Sequence, residues 1–182
     1  MRKIILISLI ITLIAPLSFA QKFMTKSGVI RFSSDTPMEK IDATNNQVNS
    51  ALDLTSGNFV FRVLIRGFEF PKALMQEHFN ENYMESTKFP NATFTGKVVN
   101  APDVKVGNDG VYKVNIEGDL TIHGVTKKIK VNGTIELKNG KAIARAAFPV
   151  VPGDYNITIP KAVAGNFAEA MQVEVNVSLD KL

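Results

Sequence analysis

From residue 23 onward, apolar and polar residues alternate with a period of two in short runs separated by turn residues, a pattern that predicts antiparallel β-structure. Val125, Ile129, Val131, Ile135 and Leu137 share one side of a run, while Thr126, Lys128, Lys130, Asn132, Thr134, Glu136 and Lys138 share the other. The last run is cleaner: Met171, Val173, Val175, Val177 and Leu179 alternate with Gln172, Glu174, Asn176, Ser178 and Asp180. Turn signals at Ser56-Gly57, Asn108-Asp109-Gly110, His123-Gly124, Asn139-Gly140 and Pro152-Gly153 divide the runs. The spacing predicts strands near 23–33, 46–55, 58–67, 91–100, 111–122, 125–138, 141–150 and 170–180, with a short extended piece at 154–159. Strands of this length, each with one apolar face, favour an all-β closed barrel of about eight antiparallel strands over a small sandwich, since closure leaves no edge exposed.

One segment departs from the two-residue period. In PKALMQEHFNENYMES, Pro71 suits a first helical turn, and Leu74, Met75, His78, Phe79 and Tyr83 fall at helical spacing. This predicts one short amphipathic helix of about a dozen residues laid across a barrel mouth.

Composition narrows the class. The 182 residues include no Cys and no Trp, enough for one ordinary domain with a sizeable core. The first twenty residues, MRKIILISLIITLIAPLSFA, have a basic start, an apolar run from Ile4 to Ile14, and Ser18-Phe19-Ala20 before a cleavage point. A retained anchor needs roughly 20 apolar residues, and Pro16 interrupts this run early. The expectation is a signal peptide over 1–20 and a binding domain over 21–182 beginning near Gln21, in a periplasmic or secreted protein with no stable membrane insertion after cleavage. Stability then rests on burial and hydrogen bonding, without disulfides. The formal charge of +4 includes Arg2 and Lys3, so cleavage leaves about +2. That is too little to argue for nucleic acid, and the lysines are scattered over alternating positions.

Little in the chain reads as reactive chemistry. His78 and His123 are its only histidines. A thiol site is excluded, a histidine-rich metal site nearly so, and neither a nucleophile elbow nor a glycine-rich phosphate loop is present. The expectation is a non-enzyme with no cofactor, no metal and no catalytic residue. In GDLTIHGVTKKIKV (118–131), the alternating runs meet at His123-Gly124 with no spare residue, the spacing of a two-residue hairpin. His123 is therefore expected at a rim corner between Thr121 and Thr126, where its imidazole is a candidate for a ligand head group; a hydrolase or isomerase centred on it is the weakest of the functional readings.

Two stretches, LMQEHFNENYMESTKFPNATFTGK (74–97) and EGDLTIHGVTKKIKV (117–131), resemble the YceI-like family of bacterial periplasmic or secreted proteins. FPVVPGDYNITIPKAV (148–163) and the alternating last strand continue the likeness. The resemblance implies an elongated, antiparallel eight-stranded barrel, lipocalin-like in outline, that holds a polyisoprenoid or other long-chain amphiphile, for transport, storage or sequestration. In this chain, KAVAGNFA (161–168) carries no charge after Lys161, so a charged contact to a head group is not expected from that loop.

The residues add one independent point. Strand 141–150 sets Ala142, Ala144 and Ala146 on one side, where larger β-formers would be usual, and small residues facing inward leave room. The expected lining is Phe59, Phe61, Val63, Leu74, Phe79, Phe94, Leu120, Ile122, Ala144, Ala146, Phe148, Val173 and Val175. The partner is then a long-chain lipid or isoprenoid, with a homodimer as a separate expectation. The competing reading is a structural or stress-related envelope interaction module with no specific small ligand.

Overall fold

The computed structural model describes residues 21–182; the expected signal peptide, 1–20, lies outside the described residues. The strands are β1 (Lys22–Asp35), β2 (Lys40–Asp53), β3 (Asn58–Leu64), β4 (Asn91–Val98), β5 (Gly110–Ile122), β6 (Val125–Lys138), β7 (Lys141–Val150) and β8 (Met171–Lys181). Each pairs antiparallel with the next, and β8 returns to β1, which closes the barrel. The tightest ladder joins β5 to β6 in one register from Gly110↔Leu137 to Ile122↔Val125. Its hairpin has positive φ at both His123 and Gly124, and the Thr121 and Thr126 hydroxyls meet at 2.8 Å.

Because strand direction alternates, the connections sort onto two ends. One end carries the tight turns after β2 and β6 and the loop 99–109. The other carries the 36–39 turn, the 65–90 segment, the 123–124 hairpin and the 151–170 segment. The interior follows the same division. Toward the tight-turn end, Val48, Leu52, Ile135, Val177 and Leu179 fill the barrel as solid core, all at most 1% exposed. Toward the other end several inward side chains, among them Phe61, Ile122, Phe148 and Val175, are only partly buried, and a cavity opens among them.

Two glycines let the wall close over a ring. Gly96 and Gly118 face each other across β4 and β5, and the Phe94 ring lies over both. A Cβ at Gly118 would come within 2.5 Å of the Gly96 Cα and within 2.7 Å of the Phe94 ring.

The elements differ from the sequence expectation in four places. β3 ends at Leu64 instead of 67, in a 3-10 turn over Ile65–Gly67. β2 starts at Lys40 instead of 46, because its first inward residues are Ile41, Ala43 and Asn45, and the last is polar and wholly buried. Asn45 donates from Nδ2 to the Leu64 carbonyl at 2.8 Å and accepts from the Gln47 amide, so an amide sits where the alternation wants an aliphatic. The helix has about the expected length but is not α-helical throughout: α1 (Ala73–His78) runs into a π-helical turn over Phe79–Tyr83. The extended piece expected at 154–159 is instead a 3-10 turn over Pro152–Tyr155, closed by Asn156 at φ 57°. Its backbone turns back on itself there, and Ile157 donates to the Pro152 carbonyl.

On the outer wall Arg31 of β1 spans two neighbours. It donates from Nε and Nη2 to the two Asp42 oxygens, the Nε contact at 2.7 Å, and reaches Glu174 of β8 at 3.4 Å. The Arg31 hydrogen bonds, with the guanidinium charge beside them, hold the Asp42 carboxyl below the usual carboxylate range. A carboxyl lowered in the folded state adds stability above its unfolded value, near pH 4, and loses that stability as pH falls through its folded value. The pair is partly exposed, so Asp42→Asn is expected to cost about 0.5–1 kcal/mol at pH 7. The gap to the parent protein should narrow progressively as pH falls below about 4, as read from urea unfolding across a pH series.

Candidate functional site

The cavity holds about 340 Å³ and occupies the half of the barrel that the core leaves unfilled. Its wall is built by strand alternation. β3 contributes Phe59, Phe61 and Val63, β4 Phe94, β5 Leu120 and Ile122, β7 Ala144, Ala146 and Phe148, and β8 Val173 and Val175. All of these belong to the lining expected from sequence, as does Phe79 from the π-helical turn. Phe59 and Phe61 meet edge to face at 4.6 Å, and Phe61 meets Phe94 at 6.3 Å, so the rings line one side as a connected sheet of aromatic surface.

Leu74 corrects the expectation. It is 61% exposed and does not border the cavity. The inward stripe is Met75, His78, Phe79 and Tyr83, and at about 100° per residue Leu74 falls off its flank. The π-helical turn widens the step from Phe79 to Tyr83 and keeps both on the cavity side.

A phenylalanine cluster that the sequence reading did not single out fixes this helix over the barrel. Phe32 of β1, Phe68 and Phe70 from the segment after β3, and Phe79 pack with ring centroids 5.0–5.8 Å apart. The signal was present, since Ile30 and Phe32 share a strand face and Phe68 and Phe70 alternate. It fell outside the expected strand in one case and at a strand end in the other.

The covered end is held by two polar clamps. At one, Glu39 in the turn between β1 and β2 accepts from Lys72 Nζ at 2.9 Å, just before α1, and from Asn166 Nδ2 at 3.3 Å in the 151–170 segment. At the other, His123 sits with Nε2 2.8 Å from Glu85 Oε2 and Nδ1 3.2 Å from the Tyr155 carbonyl oxygen. Between the clamps Tyr83 meets Phe167 edge to face at 5.6 Å. Both covering segments are thereby tied to the strand ends and to each other.

His123 is a corner of the hairpin, as expected, but its side chain does not line the cavity. Its imidazole is only 10% exposed, both ring nitrogens face acceptors, and its ring packs against Phe89 at 4.4 Å. Gly124 leaves room for that packing, since a Cβ there would come within 2.6 Å of the Phe89 ring. The head-group role considered for His123 has no geometric support, because the ring is turned toward Glu85 and Tyr155.

Among the described residues the lining includes no Ser, Cys, Lys or Asp, and no group of three or more potential metal ligands comes together. No described helix is long and apolar enough to cross a membrane. The interior is suited to excluding water from an apolar chain. Tyr155, buried within the second covering segment, has its phenol pushed up by desolvation.

The family model for the YceI-like domain matches residues 20–179. Among solved structures, a polyisoprenoid binding domain from Saccharophagus degradans, implicated in plant cell wall breakdown, superimposes with a TM-score of 0.77 at 12% identity, covering 90% of this chain and 99% of that one. BcnA of Burkholderia cenocepacia gives 0.68 at 14% identity over 85% of this chain and 96% of that one. The Campylobacter jejuni YCEI protein gives 0.60 at 17% identity over 77% and 85%. At these identities the likeness is one of fold. No curated protein matches the chain.

The clamp at His123 is testable. His123→Asn preserves a residue that tolerates positive φ but removes the reach to Glu85 and Tyr155. We expect a loss of about 1–2 kcal/mol, seen as a drop in Tm of about 2–8 °C by circular dichroism, with the β-spectrum retained below the transition.

Proposed function

The chain belongs to the YceI-like domain family, and from that premise we propose that it is an exported, non-catalytic binding protein that holds a long-chain amphiphile, a polyisoprenoid or fatty-acyl lipid, in its barrel cavity. The observation that carries the reading is the cavity itself. About 340 Å³ is enclosed by Phe, Ile, Val, Leu, Met and Ala side chains at the covered end of an otherwise solid barrel. Each methylene moved from water into such a chamber contributes about 0.8 kcal/mol before the cost of association. The structure of the Saccharophagus degradans polyisoprenoid binding domain supports the ligand class through the shared fold.

The expected lining is the proposed contact surface, without Leu74 and with Phe32, Phe68, Phe70 and Phe167 added. Binding requires no covalent step, and the chemistry lies in exclusion of water.

Organic extraction of the purified protein followed by mass spectrometry is expected to yield a long-chain lipid at near-equimolar amount. Ala146→Phe places a ring into the chamber from β7, where Ala146 faces Gly133 and Val175 across the ladders. We expect it to reduce the recovered lipid by more than about tenfold while the barrel still folds, because the added ring enters open space and not solid core. Recovery of undiminished lipid from the variant would place the ligand elsewhere.

Export is proposed from the N-terminal sequence pattern. Expression of the full chain in a bacterial host and intact-mass measurement of the envelope fraction are expected to give a chain beginning at Gln21. A cytoplasmic product retaining Met1 would refute it.

A further inference from the structure

The ionisable groups on the cavity wall are unevenly placed. Among the described lining residues they are Glu39, His78, Tyr83 and Arg145. Arg145 lies between the inward Ala144 and Ala146 on β7, so its side chain emerges on the outer surface, where it donates to Glu136 at 2.8 Å. No arginine or lysine head among the described residues therefore faces the chamber. At the covered end stands the carboxylate of Glu39, its side chain only one-quarter exposed, with Lys72 beside it on the solvent side and 67% exposed.

We propose that the cavity selects long-chain ligands whose polar end is uncharged, a hydroxyl, amide or ester, and that Glu39 is the residue that sets this preference. The inference rests on the lipid-binding reading above and specifies the ligand class. An anionic end carried into the chamber leaves water without a counter-charge, which costs several kcal/mol after relaxation. An anionic end left at the covered end meets the Glu39 carboxylate, while the Lys72 ammonium paired with it stands on the solvent side. A neutral polar end pays neither cost. It finds the Tyr83 hydroxyl, the His78 imidazole and the Asn166 amide around the same end of the cavity, each able to hydrogen-bond an uncharged group.

The test uses delipidated protein and displacement of a bound apolar fluorophore by matched pairs that share one chain: geranylgeraniol against geranylgeranyl monophosphate, and oleyl alcohol against oleate, at pH 8. The neutral member of each pair is expected to bind more than about tenfold tighter. Glu39→Lys should shrink that ratio to less than about threefold. Glu39→Gln, which removes the charge and keeps the shape, should give an intermediate ratio and guards against a misfolded lysine variant. Equal or tighter binding of the anions by the parent protein, or a ratio unmoved in both variants, would overturn the proposal while leaving lipid binding intact. Displacement by no member of either pair would overturn the binding reading and the selectivity together.

Discussion

Closure of the eight-strand ring is the constraint on which the rest of the molecule depends. With β8 paired back to β1, no strand edge remains to register against, and every residue is committed to the inside or the outside. An eight-stranded ring is just wide enough for side chains to fill or for one small ligand to occupy. This chain does one at each end. Val48, Leu52, Ile135, Val177 and Leu179 interdigitate into solid core, whereas Ala144 and Ala146 stand opposite phenylalanines that do not meet across the gap. The position of the chamber is thus set by side-chain size along β7, within a backbone that is continuous past both halves.

A closed ring still has two open ends, and they are covered by different physics. The tight-turn end is sealed by apolar packing of Leu54, Val98, Ala101 and Val104. The cavity end is covered by two irregular segments whose backbone makes few ladder contacts, so its cohesion comes from side chains. The phenylalanine cluster seats α1, and the Glu39 and His123 clamps tie α1 and the 151–170 segment to opposite strand ends. Partly exposed polar contacts of this kind are worth about a kcal/mol each. That is enough to hold a cover in place, and little enough to let it open at ordinary temperature.

The sequence announced the barrel wherever an inward residue is apolar. The β5–β6 hairpin, β7 and β8 came through with their faces and bounds nearly intact, and the lining drawn from those faces is brought together around the chamber. The pattern was silent where the inside is polar. Asn45, Ser34 and Thr25 are buried, and the β1–β2 register shifts around Gly28, so the alternation in that pair breaks twice and half of β2 was lost from view. The helix stripe was legible except for its phase, because a π-helical turn cannot be seen in residue spacing that assumes 3.6 per turn. Contacts between distant segments had no local signal at all. Neither Glu39 to Asn166 nor His123 to Glu85 follows from periodicity, since each joins residues brought close only by closure of the ring.

The chamber also bears on stability. Cavities left by truncating core side chains cost about 24 cal/mol per Å³, and the alanines of β7 leave unfilled apolar space of that kind in the barrel wall. Whole domains are stable by only about 5–15 kcal/mol. Larger residues at Ala144 and Ala146 would recover part of that cost, and the inward face of β7 accepts bulk at Phe148 and Val150. A chain that keeps alanines there gives up stability it could have by simple substitution. That sacrifice is coherent if an apolar ligand occupies the space, because a bound ligand restores the lost contacts and adds its own stabilisation to the folded state by mass action. The same alanines that weaken the empty barrel are then what couple its folding to its cargo.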